Sequence, residues 1–261
     1  MASDILSSIE RSGVSNPLIR KLEASKLLLA ADAAQLEGAL TAAFAIPAHQ
    51  DLTRVNDLPR NVHILTEGFA CRYKVLPDGR RAILAFLLPG DFCDLHSAVL
   101  GRVDHAIASI TACIFARASF ARINALASNN PCIANALWRV TLADEAISRE
   151  WLASMGRRSA GPQLAHLICE LHFRLLMVDL AGADSFFFPF TQEELGDALG
   201  LSSVHVNRVL HQMREEGLIS LQGRTLTILD LPRLERFAGF SRDYLRSPPA
   251  TQSTPIAHGT K

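Results

Sequence analysis

Between positions 203 and 213 the chain sorts its side chains by chemistry. Val206, Val209, Leu210 and Met213 recur at helical spacing and make one apolar face. That leaves Ser203, Val204, His205, Asn207, Arg208, His211 and Gln212 for the other faces. Arginine offers a planar fork of donors, asparagine a donor beside an acceptor, and valine its methyl groups. The set suits the edges of stacked base pairs, where arginine pairs with guanine O6 and N7 and asparagine with adenine. A valine can meet a thymine methyl. Arg208 is the one charged residue near the N-terminal end of this stretch, so reading base edges is the chemistry on offer rather than bulk attraction.

The flanking residues say how such a helix is held. Thr191 with Glu194 is a capping box, which starts a short helix running through Leu199. Gly200 permits a left-handed turn. Ser202 caps the second helix, which runs to Glu216 and ends on Gly217 at C′. Residues 218–221 and 225–229 read as two short strands around Gln222-Gly223. Helix, turn, helix and β-hairpin make a winged helix-turn-helix, which enters the major groove with the N-terminal end of its second helix. A winged helix used only for protein contacts is the alternative, and Asn207 and Arg208 near the helix N-terminus favour DNA.

Other reactive side chains form no strong pattern. His96 and His105, with Cys93 and Asp94 nearby, could ligate a metal or haem, but their spacing matches no established motif. The reading is therefore no metal, no cofactor and an unknown effector. The five cysteines, Cys71, Cys93, Cys113, Cys132 and Cys169, are scattered and never in a CxxC pair, which suits buried small hydrophobes better than disulfides or zinc. Redox sensing would need an exposed thiol of low pKa. No HxH with a following carboxylate lies between 45 and 120, and no nucleophile elbow, P-loop or HExxH is present, so the chain is read as no enzyme.

The elements before residue 191 must position this helix. PLIRKLEASKLL carries Leu18, Leu22 and Leu29 near helical spacing, and Asp32 can cap a second helix. In FACRYKVLPDGRRAILAFLLPGDF, Phe69, Cys71, Tyr73 and Val75 alternate with Ala70, Arg72 and Lys74; Asp78-Gly79 marks a hairpin and Pro89-Gly90-Asp91 a second turn. ASITACIFARAS reads as a further short strand. Short strands with such turns predict a small antiparallel roll. Asn130 before Pro131 starts the longest helix, where Ile133, Val140 and Ile147, likewise Leu137, Asp144 and Trp151, and Ala136 and Ala143, repeat in sevens. That stripe fits either a core face or a twin helix. Gly156-Arg157-Arg158-Ser159 reads as a hinge, the next stretch as helix and FFFPF as a short apolar strand or turn.

The expected fold class is α+β: N-terminal helices over 1–44, an antiparallel, jelly-roll-like β-roll over 45–128, a long helix over 129–156, a winged helix-turn-helix over 157–246 and a disordered tail over 247–261. Basic and acidic residues number 26 each, and the chain from residue 157 on is also balanced, so DNA affinity must come from local arrangement. No apolar run reaches membrane length and no secretory signal is visible, which predicts a soluble cytoplasmic chain with no membrane partner.

Over roughly residues 20–245 the sequence resembles the Crp/Fnr family of bacterial transcription regulators. GFACRYKVLPDGRRAILAFLLPGDF is similar to its β-roll core, and FTQEELGDALGLSSVHVNRVLHQMREEGLI to its helix-turn-helix. The resemblance implies a homodimer joined through the long helix, binding double-stranded DNA at a two-fold-symmetric site with half-sites about one helical turn apart. It also implies RNA polymerase as a partner. The family's recognition arginine falls on Arg208, its phosphate-contacting cap serine on Ser202 and its wing basic residue on Arg224. Val204 stands where well-known members place a base-reading glutamate, which implies a different half-site. The expected DNA-contacting set is Thr191, Ser202, Ser203, Val204, His205, Asn207, Arg208 and Arg224. The expected dimer seam is Ile133, Leu137, Val140, Ile147 and Trp151. The Gly-Glu and Arg-Ser pairs of cyclic-AMP-binding members read Asp94-Leu95 and Val103-Asp104 here, and Ser148 keeps one hydroxyl on the long helix. A cyclic phosphate would meet a carboxylate and no arginine, so no cyclic-AMP response is expected. With no cysteine before Cys71, the family's N-terminal iron–sulfur cluster is not expected either.

Overall fold

The computed structural model describes residues 16–24 and 28–245, so the tail read as disordered lies outside the described residues. Two short helices open it, α1 (Pro17–Ala24) and α2 (Ala30–Ala39). Leu18 and Leu22 are buried, but Leu29 stands exposed at the N-cap of α2. Asp32 does not cap α2. Its carboxylate instead accepts from Asn130 Nδ2 at 2.7 Å, tying α2 to the start of the long helix.

Seven strands form the roll: β1 (Thr41–Ile46), β2 (Asp51–Thr53), β3 (Asn61–Glu67), β4 (Ala70–Val75), β5 (Arg81–Leu87), β6 (Ala106–Ser109) and β7 (Cys113–Ser119). A short helix, α3 (Ser97–Leu100), lies between β5 and β6. The first strand begins before position 45, so the roll takes in residues assigned above to the N-terminal helices. The strands make two antiparallel sheets, ordered β1-β7-β3 and β2-β6-β4-β5. The β4–β5 hairpin closes as read, with Val75 opposite Arg81. The segment read as one strand, ASITACIFARAS, is two strands in different sheets. Chain reversal there needs no Gly or Pro, because Phe69 holds the corner: its carbonyl accepts from Ile110 N at 2.7 Å and its N–H donates to Thr111 Oγ1 at 2.9 Å.

Helix α4 (Phe120–Asn129) leads into α5 (Pro131–Arg157). Asn130 Oδ1 accepts from Cys132 N and Ile133 N at 3.0 and 3.3 Å, with Pro131 in the first turn, as its sequence suggests. The break after α5 is shorter than the four residues read as a hinge. Gly156 and Arg157 remain helical, because the Arg158 N–H closes the last turn onto Ser154 O at 2.9 Å; only Arg158 and Ser159 are extended. Then follow α6 (Ala160–Leu176), β8 (Ser185–Phe187), α7 (Gln192–Leu199), α8 (Ser203–Glu215), β9 (Ile219–Gln222), β10 (Thr225–Ile228) and α9 (Leu231–Ala238). The wing is three-stranded, ordered β8-β10-β9, since FFFPF supplies an edge strand.

Three apolar clusters explain where α5 sits. One fills the interior of the roll, around Leu65, Ile107 and Phe115. A second joins α1, α2, β3, β7 and α4 to Ile133, Leu137 and Val140 of α5. The third joins β4 and β5 to Ile147 and Trp151 of α5 and to the whole C-terminal domain. Phe86, Trp151 and Phe190 meet here, with the Phe190 and Trp151 ring centroids 4.3 and 5.9 Å from Phe86.

Candidate nucleic-acid interface

The helix-turn-helix is built by local rules. The Thr191 hydroxyl accepts from Glu194 N at 3.1 Å while Glu194 Oε2 takes the Thr191 N–H at 2.8 Å, completing the capping box of α7. Gly200 ends α7 with φ +69°. Ser202 Oγ accepts from His205 N at 3.2 Å and starts α8. A further requirement went unread in the sequence. A Cβ on Gly196 would lie 2.5 Å from Leu201 O, so a residue larger than glycine cannot pass under the turn without moving its backbone. The signal was a glycine inside a short helix, five residues before the turn it must clear.

Helix α8 is sorted as its sequence suggests. Val206, Val209, Leu210 and Met213 are buried; Ser202, Ser203, Asn207, Arg208, His211 and Gln212 are exposed and His205 is half-buried. Val204 is 78% exposed, an expense in water for a β-branched apolar side chain that the other described residues leave largely uncovered. Farther along, His211 Nδ1 lies 3.2 Å from Glu215, and Gln212 Nε2 donates to Glu216 at 2.8 Å, so the acidic end of α8 is opposite to the Arg208 end. The first turn of α8 presents free backbone N–H groups and the positive end of the helix dipole, which suits phosphate.

Two members of the expected set are placed differently. Thr191 also donates its hydroxyl to Glu194 Oε2 at 3.0 Å, so both its hydroxyl and its N–H are engaged in the cap. It positions α7. Arg224 lies on the wing turn but lines a groove with Arg20, Glu37, Glu67, Gly68 and Phe69, between the wing and the roll. The cause is β8: Phe187 packs on Phe69 with centroids 5.8 Å apart and turns that side of the wing toward the roll. The α7 helix is likewise docked on the β4–β5 hairpin, where Arg81 Nε donates to Asp197 at 2.7 Å.

The long helix requires a correction. Ile133, Leu137, Val140, Ile147 and Trp151, read as a dimer seam, are all buried within their own chain. They close the second and third clusters, and the Trp151 Nε1–H is consumed by Glu170 Oε2 at 3.0 Å. The apolar side chains that α5 leaves exposed are Trp138 and Leu152, each at 67%, with Leu142 and Met155.

At the joint between roll and C-terminal domain lies a buried polar cluster. Arg174 donates to Asp91 at 2.6 Å, to Glu170 at 3.0 Å and to the Phe86 carbonyl at 3.1 Å. Tyr244 donates to Glu170 at 3.1 Å, and Lys21 donates to the second oxygen of Asp91 at 2.5 Å. Burial pushes the Asp91 carboxyl up, but Lys21 and Arg174 outweigh it and hold the group at about 2. For Glu170 burial wins and the pKa is raised.

The positions that the resemblance matches to a cyclic-nucleotide site are engaged within the chain. Asp94 is fully buried and accepts from the His63 N–H at 2.7 Å, with His63 Nδ1 also 2.7 Å away. Val103 is buried, Asp104 is exposed, and the Ser148 hydroxyl is turned back onto Asp144 O at 2.9 Å. Arg72 is bound to the Phe92 and Cys93 carbonyls and to Asp144 of α5. Four cysteines are buried, with burial pushing the Cys71 thiol up to about 12 and Cys113 to about 11; Cys132 is exposed. Among the described residues no helix is long and apolar enough to cross a membrane.

Residues 44–130 match the family model of the cyclic nucleotide-binding domain, and residues 162–237 that of the Crp-like helix-turn-helix domain. The nitrogen fixation regulation protein FixK of Bradyrhizobium diazoefficiens is 30% identical over 185 residues, which span 70% of this chain and 76% of that protein. The chain belongs to the Crp/Fnr family of transcription regulators. The transcriptional activator protein FnrL of Cereibacter sphaeroides is also 30% identical, over 67% of this chain and 72% of its own length. Among solved structures, FixK2 of Bradyrhizobium japonicum superposes with a TM-score of 0.70 at 25% identity, covering 77% of this chain and 98% of that one. The family order of β-roll, long helix and helix-turn-helix is thus the order found here, and the relatives are regulators rather than enzymes.

Proposed function

We propose that this Crp/Fnr-family regulator works as a homodimer that reads a two-fold-symmetric DNA site, with the α8 helices in successive major grooves about one helical turn apart. The observation that carries the reading is the face of α8. Ser202, Ser203, Val204, His205, Asn207 and Arg208 stand out from a helix whose opposite side is fully engaged in its own domain. Arg208 and Asn207 supply hydrogen bonds to base edges, Val204 an apolar contact at a neighbouring step, and Ser202 a phosphate contact through the hydroxyl hydrogen it has left. The second copy covers Trp138, Leu142, Leu152 and Met155, the apolar side chains that α5 leaves exposed while its other side already belongs to the protomer. Family membership supports activity in the cytoplasm through contact with RNA polymerase.

No cyclic-AMP response belongs to this reading. Asp94 is spent on His63 and Asp104 stands where the cyclic phosphate needs a cation. Calorimetric titration should show no micromolar binding. The main test is selection of sites from a random DNA pool with the purified chain. Enrichment of a palindrome with the expected half-site spacing is the expected result. A pool that stays unenriched both alone and with cell extract added would overturn it.

A further inference from the structure

His96 sits at the N-cap of α3 and His105 just before β6, and the loop between them folds back on itself. Their ring centroids come to 5.0 Å. Asp104 lies beside both: its Oδ1 is 2.8 Å from His105 Nδ1 and 3.9 Å from His96 Nε2. One ligand-capable atom from each of the three residues lies within 4.8 Å of the other two. The Nε2 atoms of both histidines are buried and have no hydrogen-bond partner. A buried polar nitrogen left without a partner is unfavourable, and that of His96 faces Asp104 Oδ1, the oxygen beside His105 Nδ1, which points to a shared occupant that can accept its lone pair.

We infer that His96, Asp104 and His105 bind a divalent transition-metal ion of borderline character, such as zinc. Two imidazoles and one carboxylate form a donor set suited to zinc, iron, cobalt or nickel, with further positions open to water. Burial, assisted by the charge of Arg72, lowers the pKa of both histidines, the direction that favours the neutral ring a metal binds. The Arg72 charge does not close the site, because Asp144 and two carbonyl oxygens hold it. Lys74 approaches only the other oxygen of Asp104, at 3.6 Å. The Asp104 side chain is exposed and gives the ion a route from solvent. Cys93 and Asp94, grouped with these histidines by sequence proximity, are not in the cluster. The Asp94 carboxylate is turned onto His63, and the Cys93 thiol is buried, with its pKa pushed well up by that burial.

The test is titration of the full-length chain, stripped with a chelator, using Co²⁺ as an optical probe and Zn²⁺ in competition. The expected result is one equivalent per chain with visible ligand-field bands, displaced by Zn²⁺. Affinity should fall at least about tenfold in His96→Gln, His105→Gln and Asp104→Asn. Exposed His211→Gln should leave it unchanged. Asp104→Asn alters an exposed loop side chain, so it keeps the test valid if a buried histidine variant misfolds. Substoichiometric binding, or wild-type affinity in folded Asp104→Asn and either histidine variant, would overturn the inference.

Discussion

Helices α5 and α8 both carry an apolar stripe, yet the stripes mean different things. In α8 the stripe Val206–Val209–Leu210–Met213 faces the domain and the polar side faces out, so one rule sorts every residue but the exposed Val204. Helix α5 has two apolar sides. Ile133, Leu137, Val140, Ile147 and Trp151 seal the protomer, and Trp138, Leu142, Leu152 and Met155 face away from it. A helix with one apolar side is solved by its own chain. One with two has a side left for something else, and periodicity alone does not say which side is which.

Substitutions on the two sides of α5 should therefore have separable effects. Trp151→Ala on the inner side should cost about 3–5 kcal/mol of folding stability, read by urea denaturation, since it opens a cavity and takes one donor from Glu170, which keeps Arg174 and Tyr244. Equal stability in variant and parent would place Trp151 outside the core. Leu142→Glu with Leu152→Glu on the outer side should leave the protomer folded and weaken dimerisation by roughly 2–4 kcal/mol, measured by sedimentation. An unchanged association constant would return the seam to another surface.

The joint between the domains should respond to acid. Asp91 is held near 2 against an ordinary 3.8, so its contribution of about 2 kcal/mol is complete above pH 3.8 and lost as the pH falls through 2. Glu170, with its raised pKa, acts in the opposite sense, because acidification relieves the cost of its buried charge. Urea melts between pH 5 and pH 2 should show a steeper loss in the parent than in Asp91→Asn; parallel curves would remove Asp91 from the account.

On α8, Arg208→Ala should cost about 1–3 kcal/mol in DNA affinity and relax preference at one base pair, by fluorescence anisotropy on the selected site. Val204→Ala should cost about 1 kcal/mol, felt at a neighbouring step that carries a thymine. Equal losses on specific and random DNA would make these residues backbone contacts.

The features legible in the sequence were those decided within a few residues. Thr191 with Glu194, Gly200 and Ser202 each act through hydrogen bonds or backbone angles inside one turn, and all four stand where their types suggest. What escaped depends on distant partners. The break between β6 and β7 rests on Phe69, about forty residues away in the chain. The docking of Arg224 beside the roll depends on Phe187 meeting Phe69, and the need for Gly196 on how closely Leu201 passes it. Asp104 joins the two histidines while Asp94 leaves them, because the half-buried His63 claims the latter.

The Arg174–Asp91 pair bears on timing. Rotating the C-terminal domain about Arg158 and Ser159 would have to pull apart a pair of charges that are almost wholly out of water. Leaving either charge buried without a partner would cost about 3–5 kcal/mol, or roughly two to four orders of magnitude in population, and although Lys21 still holds Asp91 and Glu170 still holds Arg174, angles that part the pair out of water are disfavoured. The joint is then a detent rather than a swivel: departures of the C-terminal domain from its present setting are rare.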